Sequence, residues 1–540
     1  MFTKPSLSDL LEGVSKTAEN VLLPALADSP AADAITGMLV VLDRVEAEWP
    51  IAARHLADDN LDIEHTLRRI ERMAAPAAGL AARAMSAALT PRSEGAAATD
   101  REYHLSTLEL AEHNRRLKDA LIWTIEALDL PAAADDPPAV RHADLEVRQL
   151  LLRMLHRERD ANPTTPPRLN PLSRGGAALD SAEVEQMTSA LQDFLASEMP
   201  DGRDIRVDDF RALSGGASRE AFVFDVSWTT DDGTTTEKCV MLRQPVSSVL
   251  ESDESETRMT GTRRLPQIEF RMIRLMEAQG IPVPHMLWVE PTGKWLERPF
   301  SVARWIDGEA DLTQLANAPN LDQILEQYIE ILARVHTVDP AAAGVDFLGS
   351  PSRQTAAFEQ VDSFDHGFAV QRLEDFPAIT YMVRWLMKHQ PEASRVSVIH
   401  GDFRLGNFMW DDTGIVAMLD WEQCHVGDPL EEIAFMYWPL WTLEPLIPLA
   451  EFIGRYEKAS GITVDRQALA YYRVFIELKM SVVLLTGIKS FYATAERQLM
   501  YGATPGFEML RDCQLRVIEE LLNDGPTFEF RGAAAPTYPV

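Results

Sequence analysis

Between Val396 and Glu422 the chain alternates short apolar runs with polar ones in an order that leaves little conformational freedom. Val396-Ser397-Val398-Ile399 reads as a buried strand, and His400-Gly401-Asp402-Phe403-Arg404-Leu405-Gly406-Asn407 as the loop that leaves it. Phe408-Met409-Trp410 resumes apolar character, Asp411-Asp412-Thr413-Gly414 is a turn, and Ile415 to Leu419 is a second buried strand ending at Asp420-Trp421-Glu422. A hairpin with acidic groups at both ends lets its carboxylates converge. Asp402, Asn407 and Asp420 then supply one carboxylate that can accept or orient a hydroxyl proton and two oxygen ligands for a hard cation. Each residue alone has an ordinary explanation, since Gly, Asp and Asn are favoured in turns and caps. Local turn chemistry does not require all three at this spacing.

Composition sets outer bounds. At 540 residues the chain exceeds one ordinary core, and 46% apolar with 25% charged residues is the balance of a folded protein. The formal net charge of −32 argues against nucleic acid or an anionic membrane surface as partner, because both need clustered cations. Cys239, Cys424 and Cys513 show neither disulfide nor zinc spacing, which fits a reducing, cytoplasmic compartment. No basic-then-apolar leader opens the chain, and no run approaches the roughly eighteen apolar residues of a membrane span.

Along the chain, residues 1–160 read as an all-α domain, with helices expected over Ser6–Leu26, Ala34–Trp49, Leu61–Met73, Ala98–Leu128 and Leu145–Arg157. Its histidines, His55, His65, His104, His113, His142 and His156, lack ligand spacing and read as surface or core residues. Residues 161–180 are rich in Pro and Gly and read as a linker, and 528–540 as a tail. Residues 181–305 carry a helix, then strands over Arg206–Leu213, Ala221–Val226 and Lys238–Arg243, a helix over Leu265–Gln279 and a strand at Ser301–Trp305. Residues 306–527 are mostly helical. Antiparallel strands with one helix, followed by a helical half, give an expected α+β two-lobed protein-kinase-like fold, preceded by the all-α domain.

His-x-Asp-x-x-x-x-Asn trailed by a strand-borne Asp is also the pattern of a kinase catalytic loop and its magnesium ligand. Further candidates follow from it. Gly215-Gly216-Ala217-Ser218 lies between two strands, where small residues let backbone amides approach nucleotide phosphates. Arg243 ends the strand where a phosphate-contacting cation is expected, with Glu269 in the next helix as its partner and Lys238 as the fallback. Arg304 and Ile306 fall where the two lobes join and adenine is expected to dock. Arg258, Arg263 and Arg264 read as a solvated charged loop. Asp428 reads as a helix N-cap, and Trp421, Trp438 and Trp441 as core or pocket wall.

Over roughly residues 180–522 the chain resembles the aminoglycoside phosphotransferase and choline kinase family, through His400-Gly401-Asp402, Asn407 and Leu419-Asp420-Trp421-Glu422. The resemblance implies ATP and Mg²⁺ as cofactors, Asp402 as catalytic base, Asn407 and Asp420 as magnesium ligands, and Glu269 as partner of the phosphate-binding cation. The Leu242-Arg243 strand end followed by Pro245, and Phe403-Arg404-Leu405-Gly406 in the loop, look like the branch of kinase-like domains in acyl-CoA dehydrogenase fusion proteins. That branch implies a hydroxyacyl-CoA as the small-molecule hydroxyl acceptor, with Arg404 and Glu422 as substrate-side candidates. Two other readings stay open: a kinase for an aminoglycoside or amino alcohol, which the acidic charge suits, and a non-catalytic nucleotide-binding scaffold. For the N-terminal helices, homodimerisation and a substrate lid are both open.

Overall fold

The computed structural model describes residues 14–23, 35, 38–39, 42, 51–73, 107–128, 137–161, 181–213, 219–244, 266–493 and 505–523. Several expectations therefore lie outside the described residues: Gly215 to Ser218, the loop of Arg258, Arg263 and Arg264, most of the helices before residue 50, the linker and the tail. Three long helices open the described chain, α1 (Ala52–Met73), α2 (Thr107–Ala127) and α3 (Pro138–Ala161), and α4 (Ser181–Glu198) precedes the first strand. Strands β1 (Arg203–Leu213), β2 (Glu220–Thr230) and β3 (Gly233–Arg243) follow, then α5 (Pro266–Ala278), β4 (Met286–Glu290) and β5 (Phe300–Arg304). Next come α6 (Leu321–Thr337), α7 (Ala356–Gln371), α8 (Pro377–Lys388), β6 (Ser397–Ile399), β7 (Phe408–Asp411), β8 (Gly414–Met418) and β9 (His425–Gly427). Helices α9 (Pro429–Met436), α10 (Leu449–Ser460), α11 (Arg466–Ala493) and α12 (Pro505–Leu522) complete the order. This is the α+β kinase-like fold with a helical region before it. None of the described helices is long and apolar enough to cross a membrane.

The chain divides into two compact units. The first draws its described residues from Met1–Leu169, Val361–Pro391 and Ala470–Arg531, and is helical throughout. Polar groups set into it find partners, as burial away from water demands. The Tyr381 hydroxyl donates to Asp144 at 2.5 Å, Arg157 bridges Asp59 and Asp62 at 2.6 and 2.7 Å, and Arg516 grips both oxygens of Glu477 at 2.7 and 2.8 Å.

The second unit, Asn170–Gln360 with Glu392–Leu469 and Gly532–Val540, holds the sheet and the loop read from sequence. Its five strands are antiparallel in the order β1-β2-β3-β5-β4. Period-2 alternation assigns their faces. Phe222, Phe224 and Val226 on β2, Cys239 and Met241 on β3, and Phe300 and Val302 on β5 share a core with Met187, Leu191, Phe194 and Leu195 of α4. Each fully buried Phe or Leu there contributes about 1.5–3 kcal/mol. Burial in that core pushes the Cys239 thiol up to about 12, so it behaves as a small hydrophobe. Below the sheet, β6 pairs with β9 and β7 with β8, and the loop His400–Asn407 runs between β6 and β7.

Candidate active site

Why the loop takes its shape is local. Gly401 sits at φ +88°, and a Cβ there would lie 2.2 Å from the Gln423 carbonyl oxygen, so only glycine fits without displacing backbone. The backbone N–H groups of His400 and Gly401 donate to the two oxygens of Glu432 on α9, at 3.0 and 2.6 Å. Glu432 also accepts from His336 Nε2 at 3.0 Å, and His336 Nδ1 meets the Tyr456 hydroxyl at 2.8 Å. Burial pushes the Glu432 carboxyl up, but the His336 hydrogen bond, the neighbouring imidazoles and the Gly401 N–H outweigh it and hold it below its ordinary value. His400 is buried, and burial pushes its pKa down against the pull of Glu432 and Asp402. The neutral ring fits its contacts: Nε2 lies 2.9 Å from the Leu419 carbonyl, which can only accept, while Nδ1 accepts the Asp402 N–H at 3.2 Å. One imidazole thus ties the two strands that carry Asp402 and Asp420.

Asp402 projects from this frame. Asn407 Nδ2 donates to its carboxylate at 2.7 Å and to its backbone carbonyl at 2.8 Å, and Arg404 Nε donates to the other carboxylate oxygen at 3.1 Å. These bonds use the nitrogen of the Asn407 amide and direct its oxygen elsewhere. Asp420 follows β8 in the left-handed conformation, φ 64° and ψ 55°, which costs a non-glycine residue about 1 kcal/mol or more and fixes where its carboxylate points. Burial, and then the charges of Glu422, Asp402 and Glu269, push the Asp420 carboxyl well above its ordinary range. Sequence reasoning therefore brought together Asp402, Arg404, Asn407, Asp420, Glu422 and Glu269.

The expected pair of Arg243 with Glu269 does not form, and the reason is strand alternation. Arg243 faces Glu220 in register, so it shares the sheet face of Met241 and Cys239, toward α4. Glu220 is its partner at 2.6 Å, with Arg298 3.1 Å from the same side chain. Arg219 precedes Glu220 by one position and projects from the opposite face. There it forms the ion pair with Glu269 and lies 3.4 Å from Glu422. Sequence reading passed over Arg219; the signal available was a basic residue directly after Gly215-Gly216-Ala217-Ser218, one residue out of phase with Glu220. Lys238 instead caps the Trp305 ring at 4.3 Å.

Arg304 stands apart from the acidic group, exposed at the end of β5 and paired with Glu237 at 2.8 Å. Ile306 lies in the segment after β5, half-buried. Asp428 caps α9 through the Leu430 N–H at 3.0 Å. Trp421 is core, 4.5 Å from the His400 ring, and Trp438 meets Trp441 at a tilt with centroids 4.8 Å apart, while the Arg404 guanidinium lies 5.3 Å from the Trp441 ring.

A magnesium site can be tested against these residues. Among the described residues no three His, Cys, Asp or Glu side chains converge to hold a metal by themselves. Magnesium does not demand that, since it takes one or two protein oxygens and completes its shell with phosphates and water. Asn407 and Asp420 are such a pair of hard oxygen donors. Four carboxylates here face two guanidiniums, Arg219 and Arg404, which leaves an excess of negative charge beside a buried Asp420. The donor set fits a divalent cation.

Fold and loop together define a kinase-like phosphotransferase architecture. Residues 233–472 match the model of the phosphotransferase enzyme family, and the resemblance read from the sequence holds over that segment, which carries the whole loop from His400 to Glu422. Acyl-CoA dehydrogenase family member 10 of Mus musculus is 27% identical over 174 residues, 31% of this chain and 16% of the relative. Acyl-CoA dehydrogenase family member 11 of Homo sapiens is 27% identical over 214 residues, 38% of this chain and 26% of the relative. The chain thus spans about a quarter or less of the length of these curated relatives. Among solved structures, a putative aminoglycoside phosphotransferase from Ralstonia eutropha JMP134 is similar with a TM-score of 0.44 at 19% identity, covering 61% of this chain and 98% of that one.

Proposed function

We propose that the second unit transfers a phosphoryl group from ATP to a hydroxyl on a small molecule. One observation carries the reading. The Asp402 carboxylate is held between Asn407 and Arg404 in a loop whose first turn is fixed by Glu432, with Asp420 just past the end of β8, where the Leu419 carbonyl is tied to His400 of the same loop. Phosphoryl transfer asks a protein for positioning and electrostatics more than for covalent chemistry. Asp402 orients the acceptor hydroxyl and takes its proton. Asn407 and Asp420 would hold magnesium, which would neutralise charge on the phosphate oxygens. Arg404 keeps the base in place and adds a positive charge on the acceptor side.

For the acceptor we favour a hydroxyacyl-CoA. Arg404 beside the base suits an anionic acceptor, and both quoted curated relatives bear the acyl-CoA dehydrogenase name. The net charge of −32 favours a cationic aminoglycoside or amino alcohol instead. Labelled phosphate transfer from ATP across a panel of hydroxyacyl-CoAs, aminoglycosides and choline-like alcohols decides between them. Transfer to a hydroxyacyl-CoA is the expected result. Transfer to an amine-bearing alcohol alone overturns the acceptor class, and no transfer to any member leaves a nucleotide-binding scaffold.

A further inference from the structure

Arg219 occupies an unusual position for a guanidinium. Its side chain is only 8% exposed, it is ion-paired with Glu269, and it stands 3.4 Å from Glu422. Its Nη2 atom is buried without a hydrogen bond, although a buried guanidinium normally uses most of its five donors. Charge, more than hydrogen-bond geometry, keeps it there. Burial would lower its pKa, and the fields of Glu269, Glu422 and Asp420 overcome that and raise it. Glu422, which Arg219 faces, lies two residues after Asp420, one of the two oxygen donors that fit a divalent cation. Metal and guanidinium are therefore rivals for one set of negative charges.

We propose that Arg219 is the resident counter-ion of this pocket: it neutralises Glu269 and Glu422 in the nucleotide-free protein and competes there with a divalent cation. The cation then binds tightly only when Arg219 has another anion to turn to, and nucleotide phosphates are that anion. In sequence Arg219 follows Gly215-Gly216-Ala217-Ser218, and in the structure it stands just before β2 on the face that meets Glu269. Arg243 is not, because it lies on the other face of the sheet with Glu220. The choice of nucleotide as the second anion rests on the phosphotransfer reading; the competition with metal does not.

The test is a Mn²⁺ titration of the full-length, nucleotide-free protein, followed by electron paramagnetic resonance. Arg219→Gln is expected to tighten Mn²⁺ binding about tenfold or more, since a nearby repelling charge is gone. Arg219→Lys keeps the charge and stays within about threefold of wild type. Arg203→Gln, at an exposed pair with Asp231, changes nothing. Adding a non-hydrolysable ATP analogue reverses the order: wild type gains metal affinity and Arg219→Gln gains little. Unaltered Mn²⁺ binding in Arg219→Gln overturns the proposal. Should that variant fail to fold, Glu269→Gln tests it from the other side, because it leaves Arg219 to Glu422 alone and is expected to weaken Mn²⁺ binding; unaltered binding there overturns it equally. Label transfer by the wild type is scored separately. Transfer together with an unmoved titration sinks the counter-ion role alone, whereas a tenfold tighter metal site without transfer to any acceptor upholds it and sinks the phosphotransfer reading.

Discussion

Two buried polar clusters border the loop His400–Asn407, and they differ in completeness. Behind it, Glu432 satisfies two backbone N–H groups and His336, and His336 in turn meets Tyr456. In front, Asp402, Asp420, Glu422 and Glu269 share two guanidiniums, and burial, followed by the neighbouring carboxylates, pushes the Asp420 carboxyl up. The rear cluster closes on itself and needs nothing more. The front cluster carries more negative than positive charge. A satisfied network fixes backbone, and an unsatisfied one next to it stores the capacity to bind.

The comparison breaks most easily at Glu432. Glu432→Ala leaves three donors without their acceptor in a buried site, and a loss of about 3–5 kcal/mol is expected in urea denaturation. Magnesium and nucleotide should not restore it, because the damage lies behind the loop; an unmoved denaturation midpoint would show that the rear cluster does not hold the loop. Gly401→Ala comes next. Its Cβ meets the Gln423 carbonyl at 2.2 Å, and the residue must keep φ +88°, so a cost of about 1–3 kcal/mol and a displaced Asp402 are expected. Gly406→Ala meets only the Arg404 side chain, which can move aside, and should cost less in the same denaturation series. Equal costs at the two glycines would remove the claim that the loop is fixed at Gly401.

The smallest effect is in pH, where the clusters have opposite signs. The folded pKa of His400 is lowered, so below about pH 6.5 the unfolded chain takes a proton that the folded one refuses, and stability is lost as pH falls. Glu432, also lowered, adds the same trend below its ordinary value of 4.5. Asp420 is raised, so its contribution is intact below 3.8 and is lost as pH climbs through its folded pKa. Asp420→Asn should therefore flatten the decline of nucleotide-free stability with rising pH and leave the acid limb alone, as calorimetric melting across pH 4–9 would register. A decline unchanged in slope would remove Asp420 as its source.

How much of this was legible in the sequence follows the range of the interactions. The loop was readable because Asp402, Asn407 and Asp420 lie within twenty residues that flank one hairpin, whose strand periodicity is local. The N-cap at Asp428 was readable for the same reason. Arg219 was not, because assigning it to Glu269 requires knowing which sheet face meets α4, and that is decided by the core that Phe194 and Leu191 share with Met241. The pairing of β6 with β9 spans three residues on each side, too short to leave a periodic signal. Nor does any local pattern tell that helices before residue 169 share a unit with Val361–Pro391 and Ala470–Arg531.

The central claim, that Asp402 carries phosphoryl transfer from a pocket otherwise built to bind, meets its most direct test in Asp402→Asn. ATP binding by calorimetry and label transfer to the best acceptor are measured side by side in the presence of magnesium. The account predicts nucleotide affinity within a few-fold of wild type and transfer reduced by about 10²–10⁴, the range that a positioned general base supplies. Transfer at the wild-type rate in that variant would contradict it.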